Sequence, residues 1–377
     1  MFVPGEDENE PEEDWLPPPA ITRELFLEWR AARRGTHPAQ DLTNPVWVWL
    51  LDKNISAFLA NDHFKGPDLI RTDSGPGWCF NRFGRTLTEL SDGRKIIIGG
   101  EHEDSYDPDF FIYNDVVIVE KNGEIRILGY PEEHFPPTDF HSATRIGGEI
   151  LLVGNLSYGE NRRHGDTQVY LLDLRTMTFR EVPTSGEKPG WISRHQAELV
   201  EAKLVIHGGM IDHGPDHGGY LKNFDSWSLD PADWKWTRLT HKKVFRWRFR
   251  REDGEAGELF KMRMAKYNDI LSNARKSGML PEIQDEMEQD FDRELLAKLY
   301  EPPVPHEVLL ESPVDDALHF QIDGVSVNFE EGFGRGGVLM TVEGELPMPM
   351  LQDYLELVRQ RLSTLDRCNY RVERSKA

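Results

Sequence analysis

The sequence predicts a mainly β chain: an irregular stack of four-stranded units, with a helical hairpin inserted and an α/β segment towards the C-terminal end. Three observations carry this. The first is a repeat. RTLTELSDGRKIIIGG (85–100), HSATRIGGEILLVGN (141–155) and HQAELVEAKLVIHGG (195–209) each run from a polar start through a turn into an apolar strand ending in glycine. Gly99, Gly154 and Gly208 stand 55 and 54 residues apart. The second is helical spacing of apolar residues over 257–300, and the third is strand-like alternation over 317–346.

Each element follows in order. Residues 1–19 hold seven carboxylates between Glu6 and Asp14 and close on Pro17-Pro18-Pro19, the composition of a disordered acidic leader. Residues 20–75 are expected to supply an N-terminal helix and capping strands. ITRELFLEWRAARRG (21–35) spaces Ile21, Leu25, Phe26 and Trp29 as a helix does, and PVWVWLLD (45–52) is a candidate strand. The repeated units fill 76–252. After each glycine comes a polar loop, then DVVIVE (115–120), QVYLLDL (168–174) or FDSWSLD (224–230), a turn, and EIRILG (124–129), TFREVP (178–183) or WKWTRL (234–239). PGW precedes the first and third copies at 76–78 and 189–191, with Arg82 and Arg194 shortly after.

Residues 253–304 form the expected helical hairpin, with Gly278 and Pro281 at its turn. Residues 305–377 supply hairpins that turn at Asp323-Gly324 and a helix whose apolar residues are Leu351, Leu355, Val358, Leu362 and Leu365. Three units are few for a closed ring. The stretches 45–52, 244–252 and 317–346 are therefore expected to complete it, and an open arc is the other arrangement.

Short strands repeated at ~50 residues mean stacked sheets, because one such sheet cannot bury both faces alone. The three units resemble kelch repeats, and the layout is similar to that of bacterial kelch-type proteins. The resemblance implies an irregular kelch-like β-propeller. Two positions depart from the pattern: Gly154-Asn155 replaces a glycine pair, and Ile125 stands where an aromatic residue is usual.

Lys and Arg number 44 against 66 Asp and Glu, a formal charge of −22. Such a surface repels phosphate backbones and anionic lipid, so neither nucleic acid nor membrane is an expected partner, whereas a basic protein would be steered inward. Two cysteines make no disulfide framework, and the N-terminus lacks a signal peptide's basic and apolar regions. A cytoplasmic location is expected.

In a propeller, equivalent loops emerge on one face. The loops after the glycines carry Glu101, His102, Asp104 and Asp107, then His164 and Asp166, then Asp212, His213, Asp216 and His217. These form the expected binding face. Imidazoles and carboxylates are also the ligands a divalent metal takes, and His102, His213 and His217 are the set to consider. HGGMIDHGPDHGG (207–219) is too rich in glycine and proline for a helical metal motif, and it lacks the glutamate of H-E-x-x-H. No cofactor is predicted. Arg85, His141, Arg194 and His195 open the repeats and are expected to bond to backbone and carboxylates of the neighbouring unit; the functional alternative places them near the channel as anion-binding groups.

The resemblance implies a non-enzymatic, protein-binding role, and the charge suggests neutralisation of a basic toxin or enzyme. The alternative is a metal-dependent lyase, isomerase or oxidase built on the loop histidines and carboxylates.

Overall fold

The structure, a computed structural model, describes residues 15–67, 76–102, 110–214, 219–258, 260–261, 298–309, 318–332 and 337–375. Glu8–His241 makes one compact unit, and Lys242–Ala377 is the body of a second. The chain is mainly β, and the first unit is kelch-propeller-like.

Three antiparallel sheets, here blades 1 to 3, follow one another in that unit. Blade 1 takes Thr86–Glu89, Lys95–Ile98, Val116–Val119 and Ile125–Gly129, with Gln40–Asp41 added at its outer edge. Blade 2 takes Ser142–Ile146, Glu149–Val153, Val169–Asp173 and Thr178–Glu181. Blade 3 takes Gln196–Val200, Lys203–His207, Trp227–Asp230 and Lys235–Arg238, with Ser185–Gly186 parallel to the last.

Alternation along each strand sends two apolar rows to opposite faces. Ile96, Ile98, Val116 and Ile118 of blade 1 meet Ile150, Leu152, Tyr170 and Leu172 of blade 2 in one core. Leu151, Val153, Val169 and Leu171 leave the other face of blade 2 to meet Leu204, Ile206, Trp227 and Leu229 of blade 3.

Helices cap the free face of blade 1. These are α1 (Arg23–Trp29), α2 (Pro45–Asp52) and α3 (Ala57–His63). Trp47 of α2 stacks on Trp78 with centroids 4.9 Å apart, in a core that includes Val117 and Ile127. PVWVWLLD is thus a helix and not the expected strand. The Asn44 side chain accepts the Trp47 N–H at 2.9 Å, and Pro45 sits where a first turn needs no donor. Val46, Trp47, Trp49 and Leu50 are all buried, so the segment is apolar on most sides and its period is hidden.

The second unit is a six-stranded antiparallel sheet in the order Glu307–Leu309, Leu318–Ile322, Val325–Gly332, Gly337–Glu343, Val244–Arg251, Tyr370–Ser375. The helix α4 (Met348–Asp366) packs Tyr354, Val358 and Leu362 into a core with Phe249, Phe320, Phe329 and Met340. VFRWRFRRE pairs inside this sheet, between 337–343 and 370–375, and is not a strand of the three blades. Most of the expected helical hairpin (253–304) lies outside the described residues. Among them, no helix is long and apolar enough to cross a membrane.

Candidate functional site

Backbone bonds between blades show which residues are equivalent. Phe140 N–H donates to Gly84 O at 2.8 Å, and Arg194 N–H donates to Phe140 O at 2.8 Å. Gly84, Phe140 and Arg194 share a left-handed backbone, with φ of 63°, 46° and 59°. One residue on stand Arg85, His141 and His195. His141 Nε2 lies 2.9 Å from Thr86 Oγ1, and His195 Nε2 lies 2.9 Å from Ser142 Oγ. Each histidine therefore grips the first strand of the preceding blade. Burial pushes the imidazoles down, to about 3 for His141 and about 4 for His195. Their Nδ1 atoms are buried without a partner among the described residues. Arg85 opens blade 1, the first of the three in chain order. Its guanidinium lies over the Phe80 ring and donates to the Phe80 carbonyl. Arg194 is exposed, with its guanidinium 3.5 Å from the Phe140 ring centroid.

The connections after the glycines meet above these seams. Glu101–His102 pairs with Phe111–Ile112 from blade 1, and Met210–Asp212 lies between Trp191–Ser193 and Tyr220–Lys222 from blade 3. Glu101 is 4 % exposed, and Asp139, on the approach to blade 2, is 0 % exposed. Asp139 Oδ1 accepts the Ser157 N–H at 2.7 Å. Burial pushes the Asp139 carboxyl up, against the pull of Ser157 N–H, the Glu101 side chain, Arg194 and Arg162. No donor among the described residues reaches its Oδ2.

Asp212 is the second centre. Its Oδ2 lies 3.2 Å from Arg162 Nη1 and 3.4 Å from His164 Nε2, and its Oδ1 accepts the Gly214 N–H at 2.9 Å. Arg162 also donates to the Leu156 and Ser157 carbonyls and lies over the Tyr220 ring. Burial pushes the Tyr220 hydroxyl up to about 12, so it stays protonated. Arg162 and His164 of blade 2 thus meet Asp212 of blade 3 in one network of paired charges.

The other expected rim residues are dispersed or undescribed. Asp166 takes Lys188 at 2.6 Å and the Thr167 N–H. His102 pairs with Phe111 at a strand position, and His213 N–H donates to Gly219 O. Asp104, Asp107, Asp216 and His217 lie outside the described residues. Among the described residues no group of three His, Cys, Asp or Glu is placed to hold a metal ion.

The model of the KLHDC2/KLHL20/DRC7 kelch-repeats domain matches residues 82–250. That stretch is a kelch-repeat region. Among curated relatives, the host cell factor of Drosophila melanogaster is 29% identical over 181 residues, 44% of this chain and 11% of that protein. The Rab9 effector protein with kelch motifs of Xenopus laevis is 31% identical over 86 residues, 22% of each chain. This chain thus spans only a minor part of the length of these relatives. A solved structure titled "Structure of YjhT" is 14% identical, with a TM-score of 0.29 over 42% of this chain and 52% of that one, too slight a likeness to bear on the argument.

Within the kelch region a buried pair joins Arg82 to Asp115. Both guanidinium ends meet the carboxylate, the second at 2.9 Å, and Trp78 Nε1 adds a bond at 3.2 Å. This pins the segment that leads into blade 1. The two PGW–Arg stretches are not structural equivalents. Gly100 N–H donates to Thr138 O as Asn155 N–H does to Ile192 O, which aligns Arg82 with Ile192, and Arg194 with Gly84. Sequence reading missed Asp139, Arg162 and Tyr220. Their only advance signal was membership of the segments flanking the repeats.

Proposed function

We propose that the kelch region is a non-enzymatic protein-binding module whose post-glycine rim receives a basic partner, with a basic toxin or enzyme as the partner class. The observation that carries this is the meeting of three blades at one rim: Glu101 from blade 1, Asp139, Arg162 and His164 from blade 2, and Asp212 and Tyr220 from blade 3. Charge points the same way. Residues 101–114 contain five carboxylates and no Lys or Arg, in a chain of net charge −22. Acidic rims speed capture of basic proteins more than they tighten the final complex. One matched relative is named as an effector of another protein, Rab9, which suits a binding reading. Both cysteines are free, which suits a cytoplasmic setting.

The test starts with capture from lysate at low salt and continues with the purified partner. Glu103→Lys with Asp104→Lys and Asp107→Lys should slow association about tenfold and flatten its salt dependence. The same reversals at Glu124, Glu201 and Asp233, on turns at the opposite end of the blades, should have little effect. Equal loss from both sets removes the rim from the reading.

A further inference from the structure

A polar pocket of about 220 Å³ opens beside the rim on blade 2. Ser157 links the two, since its N–H holds Asp139 while the residue lines the pocket. Trp191 and Tyr170 supply aromatic surface, and Gln168, Glu132, Glu181 and Arg163 line it as well. Trp191, Ser157, Gln168 and Tyr170 are all buried, so this is a formed recess and not a dent among mobile side chains.

Size narrows the ligand. Sites for free small molecules run to roughly 300–1,000 Å³, whereas one anchor side chain of a protein partner needs less. Charge narrows it further. Glu132 uses Oε1 on Arg34 Nε at 2.7 Å, and Glu181 uses Oε1 on Arg163 Nη2 at 2.6 Å. Those contacts leave Oε2 of each carboxylate. Arg163 is half exposed, and a surface pair of that kind is worth little, so it exchanges readily. A planar, weakly hydrated cation suits two carboxylates beside aromatic rings better than an ammonium does.

We propose that this pocket receives an arginine side chain of the protein partner. Glu132 and Glu181 hold the guanidinium, and Arg163 is the internal group it displaces. The inference rests on the protein-binding reading and names its anchor.

Titration of the full chain with Nα-acetyl-argininamide, followed by NMR or calorimetry, tests it. Saturable binding with a Kd on the order of 1 mM is expected, with the uncharged citrulline analogue at least about tenfold weaker. Glu132→Gln with Glu181→Gln should cost about tenfold, and Arg163→Ala should tighten binding about threefold, each with an unchanged circular dichroism spectrum. Equal binding of the citrulline analogue, indifference to the glutamine changes, or no saturation by about 50 mM would overturn it. Partner capture that depends on the rim but ignores Glu132 and Glu181 sinks the pocket and leaves the module. Argininamide binding with no partner recovered does the reverse.

Discussion

The seams between blades and the far face of blade 3 follow one plan with opposite chemistry. On the face that blade 1 turns to blade 2, the row across the strands is Thr88, Ile96, Ile118, Arg126; on blade 2 it is Thr144, Leu151, Leu171, Arg180. The same row on blade 3 is Glu198, Val205, Ser228, Thr237. One step along, Ile98 and Val153, both fully buried, are replaced by half-buried His207. Hydrogen bonding changes with it. Thr86 and Ser142 are answered by a histidine of the next blade, while Gln196, their equivalent, is answered by His207 of its own blade at 3.0 Å. A methyl group on Gly99 or Gly154 would overlap the carbonyl of Thr138 or Ile192, whereas one on Gly208 would meet no atom within 4 Å. Blade 3 is therefore coded as a terminal repeat with a polar outer face, and helices α1 to α3 end the stack at the other side.

Acid should strain the seams most. An unfolded chain protonates its histidines near pH 6.5, but the folded kelch region resists until about pH 3 at His141 and about pH 4 at His195. The unfolded state then binds more protons, so stability is full above pH 6.5 and is lost as pH falls towards 4. Each site withholds on the order of 3 kcal/mol. Urea midpoints between pH 7 and 4 should fall steeply for the natural chain and less steeply for His141→Gln with His195→Gln. Parallel curves would mean the seams tolerate the charge.

How much of this could be read in advance depends on the range of the interaction. The repeat was legible because glycine after an apolar run recurs locally, and each copy folds as its own sheet. The α2 helix was not, because VWVWLL is apolar on most sides and such a run fits either period. At the rim, His164 and Asp212 came from loops already expected to meet. Asp139 has meaning only opposite Glu101, 38 residues earlier on a neighbouring blade, and no spacing rule reaches that far. The terminal coding of blade 3 was present as IIIGG against LVIHGG, but seeing His207 as a departure requires knowing which face each residue serves.

Glycine substitutions set the two regions against each other directly. Gly99, Gly154 and Gly208 all have positive φ, of 59°, 76° and 65°. Alanine at any of them carries a backbone cost of about 1–2 kcal/mol. At Gly99 and Gly154 the overlap with the next blade's carbonyl should add about 1–3 kcal/mol, and Gly208→Ala should carry the backbone cost alone. Denaturant midpoints for the three variants rank them, and a Gly208→Ala as damaging as Gly99→Ala would show that the far face is packed after all.

The smallest expected effect is the sharpest. If polarity is what ends the stack, then His207→Val with Ser228→Val rewrites the far face in the code of the seams. Stability should change by no more than about 1 kcal/mol, because these positions carry few of the apolar contacts their counterparts make. What should change is association: an apolar row on a face built like those of the seams is a heterologous contact site, and heterologous contacts propagate. Sedimentation velocity should show concentration-dependent growth in the double variant beyond that of the natural chain. Val153→Thr supplies the reciprocal arm, putting a hydroxyl into the working seam at a cost of about 1–3 kcal/mol. A double variant that associates no more than its parent, beside a harmless Val153→Thr, would mean that polarity does not separate an internal blade from a terminal one, and that α1 to α3 alone define where the stack stops.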